Sequence, residues 1–292
     1  MMPVIFIGHG SPMNAIEENE FTERWRKIAK SIQKPKAILC ISAHWFTENT
    51  RINTEENPKI INDFYGFPRE LYEVQYLAKG APDFAKKTKD LIGNFVIEDN
   101  TWGIDHGTWS VLNRMYPKAD IPVYQMSIDS LAEPKDLYEI GQKIKALRKE
   151  NILILGSGNV VHNLRYVDFS ANGGYDWAEE FDLYIKDSIE KKDFKSVVNY
   201  RSMGKSAEYS VPTPEHFYPL LYVLGAVNEN DKVEIYNNSC IAGSLSMTSY
   251  VFSEKWCNII LLIINRKFIL YKESIIQYKT LVFYWIKSDS IL

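Results

Sequence analysis

Five histidines are the residues of this sequence that could carry chemistry. Four of them follow apolar, strand-like runs and stand among small or polar residues: His9, His44, His106 and His162. The fifth, His216, lies at the start of a predicted helix. In open α/β sheets, the loops at the carboxyl ends of the strands converge on one crevice. Because imidazole is both a metal ligand and a proton carrier near neutral pH, this placement predicts a shared metal site.

Each histidine also has a plainer explanation when it is taken alone. His9, between two glycines, could bond the backbone of a tight turn, and His44 could be a half-buried structural residue. His106 could hold its own loop, or it could stand behind a site with its ring oriented by the neighbouring Asp105. His162 follows a glycine-rich turn that lacks a nucleotide-binding signature, and it could serve as an acid or a base.

His216 has the strongest local argument. Thr213 is a good N-cap and Pro214 suits the first helical position, so a helix is predicted over 214–226. His216 then lies on the core-facing side, where an unpaired imidazole is costly and needs a metal ion or a carbonyl as partner. Taken together, the plain explanations require nearly every histidine to occupy a site-like position by chance, so a shared site is favoured.

The composition limits the class of protein. The 292 residues are 46% hydrophobic and 24% charged, as in a soluble globular protein. A net charge of −3 without a basic stripe predicts no nucleic-acid partner. The short apolar N-terminal run has no basic region before it, which predicts a first strand and no signal peptide. Three widely spaced cysteines form neither a disulfide framework nor a CxxC metal motif, which predicts a reducing, cytoplasmic compartment: Cys40, Cys240 and Cys257.

Strand-like and helical segments alternate along the chain. This order predicts a single α/β domain with a mostly parallel central sheet and helices on both faces. Residues 50–80 are aromatic and turn-rich and are expected to form a long loop with short elements. The predicted strands are 4–7, 37–41, 95–97, 122–128, 152–155 and 233–236, and the predicted helices are 20–32, 82–92, 134–150, 175–191 and 214–226.

The segment 255–292 differs in composition from the domain predicted over 1–254. It is rich in Ile, Leu, Tyr and Lys, with six basic residues against two acidic ones. Its longest uncharged run, Trp256–Asn265, is shorter than the roughly 20 residues that a membrane span needs. We expect an atypical extension, disordered or non-native, with a membrane-surface helix as the alternative.

Segments around the five histidines resemble the DODA-type extradiol aromatic ring-opening dioxygenases, a class III extradiol family that includes 4,5-DOPA dioxygenases. The resemblance runs in order over residues 3–252 and is closest to the bacterial branch. It departs at 76–80, where the family has a proline-rich segment on the substrate side, and over 255–292. The matching segments are 8–13 (GHGSPM), 42–46 (SAHWF), 63–68 (DFYGFP), 103–109 (GIDHGTW), 156–164 (GSGNVVHNL), 212–216 (PTPEH) and 243–247 (GSLSM).

The resemblance implies a function for each histidine. His9, His44 and His216 would bind the metal. His162 would be the acid and base, and it would become a fourth ligand when zinc occupies the site. His106 would contact the substrate or O2. Fe(II) is expected for activity, and the implied partners are O2 and a DOPA-like catechol whose ring is opened.

Two other functions remain open for such a site. With Zn(II) in it, the same cluster could activate water and run a hydrolase, which would need zinc and consume no oxygen. A non-enzymatic metal-binding protein on the same fold would bind metal tightly with no open coordination position.

Overall fold

A central sheet organises residues 1–254, the part of the chain that this computed structural model describes. The predictions for 255–292 lie outside the described residues. The strands are β1 Val4–Gly8, β2 Ala37–Thr47, β3 Arg51–Ile52, β4 Ile97–Glu98, β5 Val123–Asp129, β6 Ile152–Gly158, β7 Lys232–Tyr236, β8 Cys240–Ile241, β9 Leu245–Ser246 and β10 Ser249–Ser253.

Eight of these strands form one sheet in the order β4-β3-β5-β2-β6-β1-β10-β7, and β8 pairs with β9. Strands β5, β2, β6 and β1 are successive parallel neighbours. Strand β10 is antiparallel to both β1 and β7, and β3 is antiparallel to β5. The predicted mostly parallel sheet is therefore confirmed.

Helices cover both faces of the sheet. Along β1, Val4 and Phe6 belong to the core layer that contains α5, α6 and α9, whereas Ile5 and Ile7 belong to the layer that contains α1 and α4. No helix within residues 1–254 is long and apolar enough to cross a membrane. The helices are α1 Glu20–Ser31, α2 Arg69–Tyr72, α3 Pro82–Ile92, α4 His106–Met115, α5 Pro134–Ile144, α6 Asp176–Glu190, α7 Phe194–Val198, α8 Lys205–Ser210 and α9 Tyr218–Gly225.

Strand β2 extends beyond its predicted end at Ile41. It continues to Thr47, and its register with β5 shifts between Ile41 and Phe46. Between these pairs β2 advances by five residues and β5 by two. Such extra residues in one strand bend it and re-aim its side chains, which is common next to functional sites. His44 therefore lies in the irregular end of a strand and not in the predicted loop.

The helix predicted over 214–226 begins later, at Tyr218. Residues 212–217 form turns, in which the Pro214 carbonyl accepts from the backbone N–H groups of Phe217 and Tyr218. The Thr213 hydroxyl donates to the Glu215 side chain, so it is not the predicted N-cap. His216 consequently lies in the turn that precedes α9.

Other segments also differ from the sequence prediction. Helix α4 begins at His106 within a segment predicted as a loop, because the Asp105 side chain caps it by accepting from the backbone of Thr108. The long helix predicted to Glu150 tightens into a 3-10 turn over Lys145–Glu150. Strand β10 was not predicted, because its apolar run of three residues is too short to show a pattern.

A buried ion pair joins the turn before β6 to the residue before β7. The side chains of Arg148 and Asp231 are both fully buried, and their closest N–O distance is 2.6 Å. Arg148 also donates to the carbonyls of Met2 and Ala226, and Asp231 accepts from the backbone of Asn228. Every charged atom of the pair thus has a partner, as burial of charge requires.

Replacing Asp231 with alanine should lower the free energy of unfolding by roughly 3–5 kcal/mol, because it leaves the Arg148 guanidinium buried without its counter-charge. Urea denaturation at pH 7 measures this. Glu23→Ala is the control, since it removes an exposed ion pair with Lys27 and should leave the midpoint nearly unchanged. Similar midpoints for the two variants would contradict the structural importance of the buried pair.

Candidate metal centre

Three histidine rings form a nearly equilateral triangle at the carboxyl edge of the parallel strands. The ring centroids of His9, His44 and His216 are 5.1, 5.2 and 5.3 Å apart. One ring nitrogen of each lies within 4.8 Å of the others. His9 and His216 are buried, and His44 is half-buried. Three imidazole nitrogens at this spacing are able to hold a metal ion.

Adjacent strands bring these residues together. His9 directly follows β1, and His44 lies in the end of β2 on the other side of β6. The end of β6 approaches the third histidine closely, since the Asn159 N–H donates to the His216 carbonyl. A Cβ at Gly158 would lie only 2.1 Å from that carbonyl oxygen, so glycine is required there.

A serine fixes the orientation and tautomer of His9. The Ser157 hydroxyl lies 3.0 Å from Nδ1 of His9 and donates its proton to the Gly107 carbonyl. A hydroxyl has one proton to donate, so Ser157 must accept from Nδ1–H of His9. The unprotonated nitrogen of His9 is therefore Nε2.

Carboxylates play the same part for the other two rings. Nδ1 of His44 lies 3.0 Å from Asp63, and Nδ1 of His216 lies 3.2 Å from Glu215. An ionised carboxylate only accepts hydrogen bonds, so both rings carry a proton on Nδ1. Metal-binding histidines in proteins almost always donate their second ring N–H to such an outer partner.

The donor set fits a metal ion. Nε2 of His44 faces Nε2 of His9 at 3.4 Å, and two lone pairs repel at that distance, so a proton or a metal ion must lie between them. Burial, followed by the charges of the neighbouring histidines, lowers the pKa of His9 and of His216. Burial also opposes charge on His44, but the hydrogen bond to Asp63 and nearby carboxylates outweigh it and raise its pKa.

His162 stacks on the outer side of the triangle. Its ring lies 3.5 Å from that of His216 at an interplanar angle of 8°. The loop after β6 holds it there, with its backbone N–H donating to Ser210 and a bridge to Leu245. Burial, and then the charge of His44, lower the pKa of His162 to about 4, so its imidazole is neutral at pH 7.

His106 lies on the other side of the triangle, with its ring 3.8 Å from that of His44. The neighbouring Asp105 does not orient it. The carboxylate of Asp105 instead accepts from Ser42, Thr108, Trp102 and Gln125, which anchors the start of α4. Asp63 orients the His106 ring in its place, with Oδ1 of Asp63 2.9 Å from Nδ1 of His106.

Asp63 is a site residue that sequence reasoning did not single out. It belongs to one of the segments that carry the family resemblance, but it precedes His106 by 43 residues in a region predicted as a long loop. Hydrogen bonds from His106 and His44 overcome the effect of burial and hold the pKa of Asp63 well below its usual range. The one signal in the sequence was an acidic residue in an otherwise aromatic segment.

The segment that departs from the family pattern, 76–80, lies away from the histidines. The Lys79 carbonyl accepts from the backbone N–H of Val123, the first residue of β5. Val123 is at the amino end of β5, and β5 is seven residues long. The histidines lie at the other edge of the sheet, where the parallel strands have their carboxyl ends. The structure therefore places 76–80 at the opposite edge of the sheet from the histidines, and a part for it in substrate binding stays a prediction.

Comparison with known proteins gives a consistent result. Residues 3–253 match the family model described as the catalytic LigB subunit of aromatic ring-opening dioxygenase. The chain is 43% identical to the 4,5-DOPA dioxygenase extradiol of Escherichia coli K12, over 85% of this chain and 93% of that protein. It is 39% identical to the protein of the same name from Beta vulgaris, over 85% and 95%. A crystal structure of an uncharacterized E. coli K12 protein superposes with a TM-score of 0.75 at 39% identity, covering 87% of this chain and all of that one.

Gly107→Ala should weaken metal binding by about 10–100-fold, the effect typical of disturbing an outer contact of a ligand. A Cβ there would lie 2.6 Å from the Ser42 hydroxyl and 2.7 Å from Cδ2 of His44, so the ring must shift. Competition with a chelator measures the affinity, with far-UV circular dichroism to verify folding. Ser110→Ala in the same helix is the matched control, because that buried hydroxyl has no partner to lose. Unchanged affinity in a folded Gly107→Ala variant would contradict this expectation.

Proposed function

Since the chain belongs to the LigB family of aromatic ring-opening dioxygenases and is an extradiol ring-cleaving dioxygenase, we propose that it opens a DOPA-like catechol at Fe(II) held by His9, His44 and His216. The observation that carries this proposal is the triangle of three imidazoles with every Nδ1 tied to an outer acceptor. The names of the E. coli and beet relatives support a DOPA-like substrate. The match to dioxygenases favours ring opening over the zinc-hydrolase alternative.

The donor chemistry supports iron without requiring it. Imidazole nitrogens suit Fe(II), Zn(II), Cu(II) and Ni(II) alike. Bound Fe(II) supplies the redox chemistry that reaction with O2 requires and that zinc lacks. With zinc in the site, His162 would serve as a fourth ligand, and its ring lies directly against that of His216.

His162 is the proposed acid and base. It lies outside the triangle but against one of its members, so a catechol bound within reach of the triangle would bring a hydroxyl close to this ring. A neutral imidazole there takes the phenolic proton on a ring nitrogen and returns it as the ring opens. Such proton transfer typically contributes 10²–10⁴-fold to the rate.

His106 is proposed to contact the substrate or O2. It lies against His44, whereas His162 lies against His216, and the ring of Phe64 lies 5.4 Å from His106, edge to face. An aromatic neighbour and a polar ring nitrogen together suit an aromatic diol. His162 and His106 would then act next to different members of the triangle.

A reducing, cytoplasmic compartment stays a prediction. The two cysteines within the described residues, Cys40 and Cys240, are both buried and unpaired, which supports it. In such a compartment thiols are kept reduced.

Anaerobic loading with Fe(II), followed by a catechol panel and air, should give oxygen uptake and a yellow ring-opened product. His162→Ala should lower the turnover by about 10²–10⁴-fold while iron content stays near that of the unmodified protein. His9→Ala is the contrasting variant and should lose the iron. No oxygen uptake with any catechol at full iron occupancy would refute the ring-opening function. Loss of iron in His162→Ala would make His162 a ligand first.

A further inference from the structure

We infer that Asp63 is a positioning residue that serves two histidines at once, by fixing His44 toward the metal and His106 toward the substrate. The inference rests on the function proposed for those two rings. The Asp63 side chain is 15% exposed and lies beside both of them. It would link the metal-binding half of the site to its substrate-binding half.

The two carboxylate oxygens of Asp63 are divided between the two rings. Oδ2 lies 3.0 Å from Nδ1 of His44, and Oδ1 lies 2.9 Å from Nδ1 of His106. Oδ1 also accepts from the backbone N–H of His106 at 3.0 Å. The ring N–H of His106 does not point straight at Oδ1, but two lone pairs would repel at 2.9 Å, so Nδ1 must carry the proton.

Only a carboxylate can satisfy both rings. Each ring presents an Nδ1–H donor, and a carboxylate offers two accepting oxygens. An amide of the same shape offers one oxygen and one NH2 donor. With asparagine at position 63, one imidazole must face that donor with a lone pair on Nδ1. Its proton then moves to Nε2, which blocks that nitrogen as a metal ligand or changes what it offers the substrate.

The backbone around Asp63 is held by contacts that do not involve its carboxylate. Ile104 exchanges backbone hydrogen bonds with Lys59 and Ile61, and the indole N–H of Trp109 donates to the Ile61 carbonyl. A Cβ at Gly103 would lie 2.0 Å from the Lys59 carbonyl oxygen, so the two segments are in close contact. Asp63→Asn should therefore change the hydrogen bonding and leave the loop in place.

Asp105 cannot substitute for Asp63. It is fully buried, and its oxygens accept from the four groups that anchor α4. The rings of His44 and His106 are only 3.8 Å apart, so a change in the orientation of one is felt by the other. Within residues 1–254, Asp63 is the carboxylate that contacts both.

The first test reads the tautomers directly in the metal-free protein by 15N NMR of labelled histidine. In the unmodified protein, His44 and His106 should both carry hydrogen on Nδ1, whether or not Nε2 is also protonated, and an Nδ1 without hydrogen on either ring would overturn the inference. In Asp63→Asn, one of the two should lose its hydrogen from Nδ1. Glu215→Gln is the matched control. The side chain at position 215 faces a single imidazole, and the amide oxygen of glutamine can still accept from Nδ1 of His216. Unchanged tautomers in Asp63→Asn would also overturn it.

The second test separates the two halves of the site kinetically. In Asp63→Asn we expect about 10–100-fold weaker iron binding and, at saturating iron, a further loss in kcat/KM. In a His106→Phe background, that further loss should largely disappear. Equal losses in both backgrounds would show that Asp63 acts through His44 alone. If the unmodified, iron-loaded protein opens no catechol, the proposed function fails, whereas the tautomer measurement still decides the inference.

Discussion

The candidate site depends on one constraint, the parallel pairing of β2, β6 and β1. Parallel neighbours end at the same edge, so the residues that follow them are brought together however far apart they lie in sequence. Gly8 pairs with Gly158, and Ser42 pairs with Ser157, at that shared edge. The interiors of these strands are apolar and buried on both faces, so they lie in the centre of the core. The histidine triangle is therefore a consequence of strand pairing, and the surrounding loops only complete it.

A second layer of polar groups determines what the triangle offers to a metal ion. Imidazole has two nitrogens, and strand pairing does not decide which one faces inward. Ser157, Asp63 and Glu215 accept from Nδ1–H of His9, His44 and His216 respectively, which leaves Nε2 of each ring as the nitrogen that can face a metal ion. These three acceptors thus fix which nitrogen of each ring a metal ion would meet. The negative charge of the Asp63 and Glu215 carboxylates offsets part of the positive charge that a divalent cation would bring.

The sequence was sufficient for the elements with long apolar patterns, and insufficient for features set by single contacts. Strand β6 and the histidine set were foreseeable, because apolar runs ending at small residues mark the carboxyl edge of a parallel sheet. The extension of β2 through His44 depends on a register shift with β5, and the late start of α9 depends on Thr213 bonding Glu215 instead of a backbone N–H. Asp63 meets His106 only after residues 59–61 pair with Ile104. Local pattern carries no information about such distant pairings.

The place of β10 in the sheet has a consequence for synthesis. The first strand, β1, lies between β6 and β10, so its neighbours are made long after it leaves the ribosome. His9 precedes His216 by about 200 residues, which corresponds to roughly 10–40 s of translation. During that interval the nascent chain carries His9 and His44 without their third companion. The three-histidine triangle can therefore form only in a nearly finished polypeptide, because its third member and the strand that pairs with the free side of β1 are both made late.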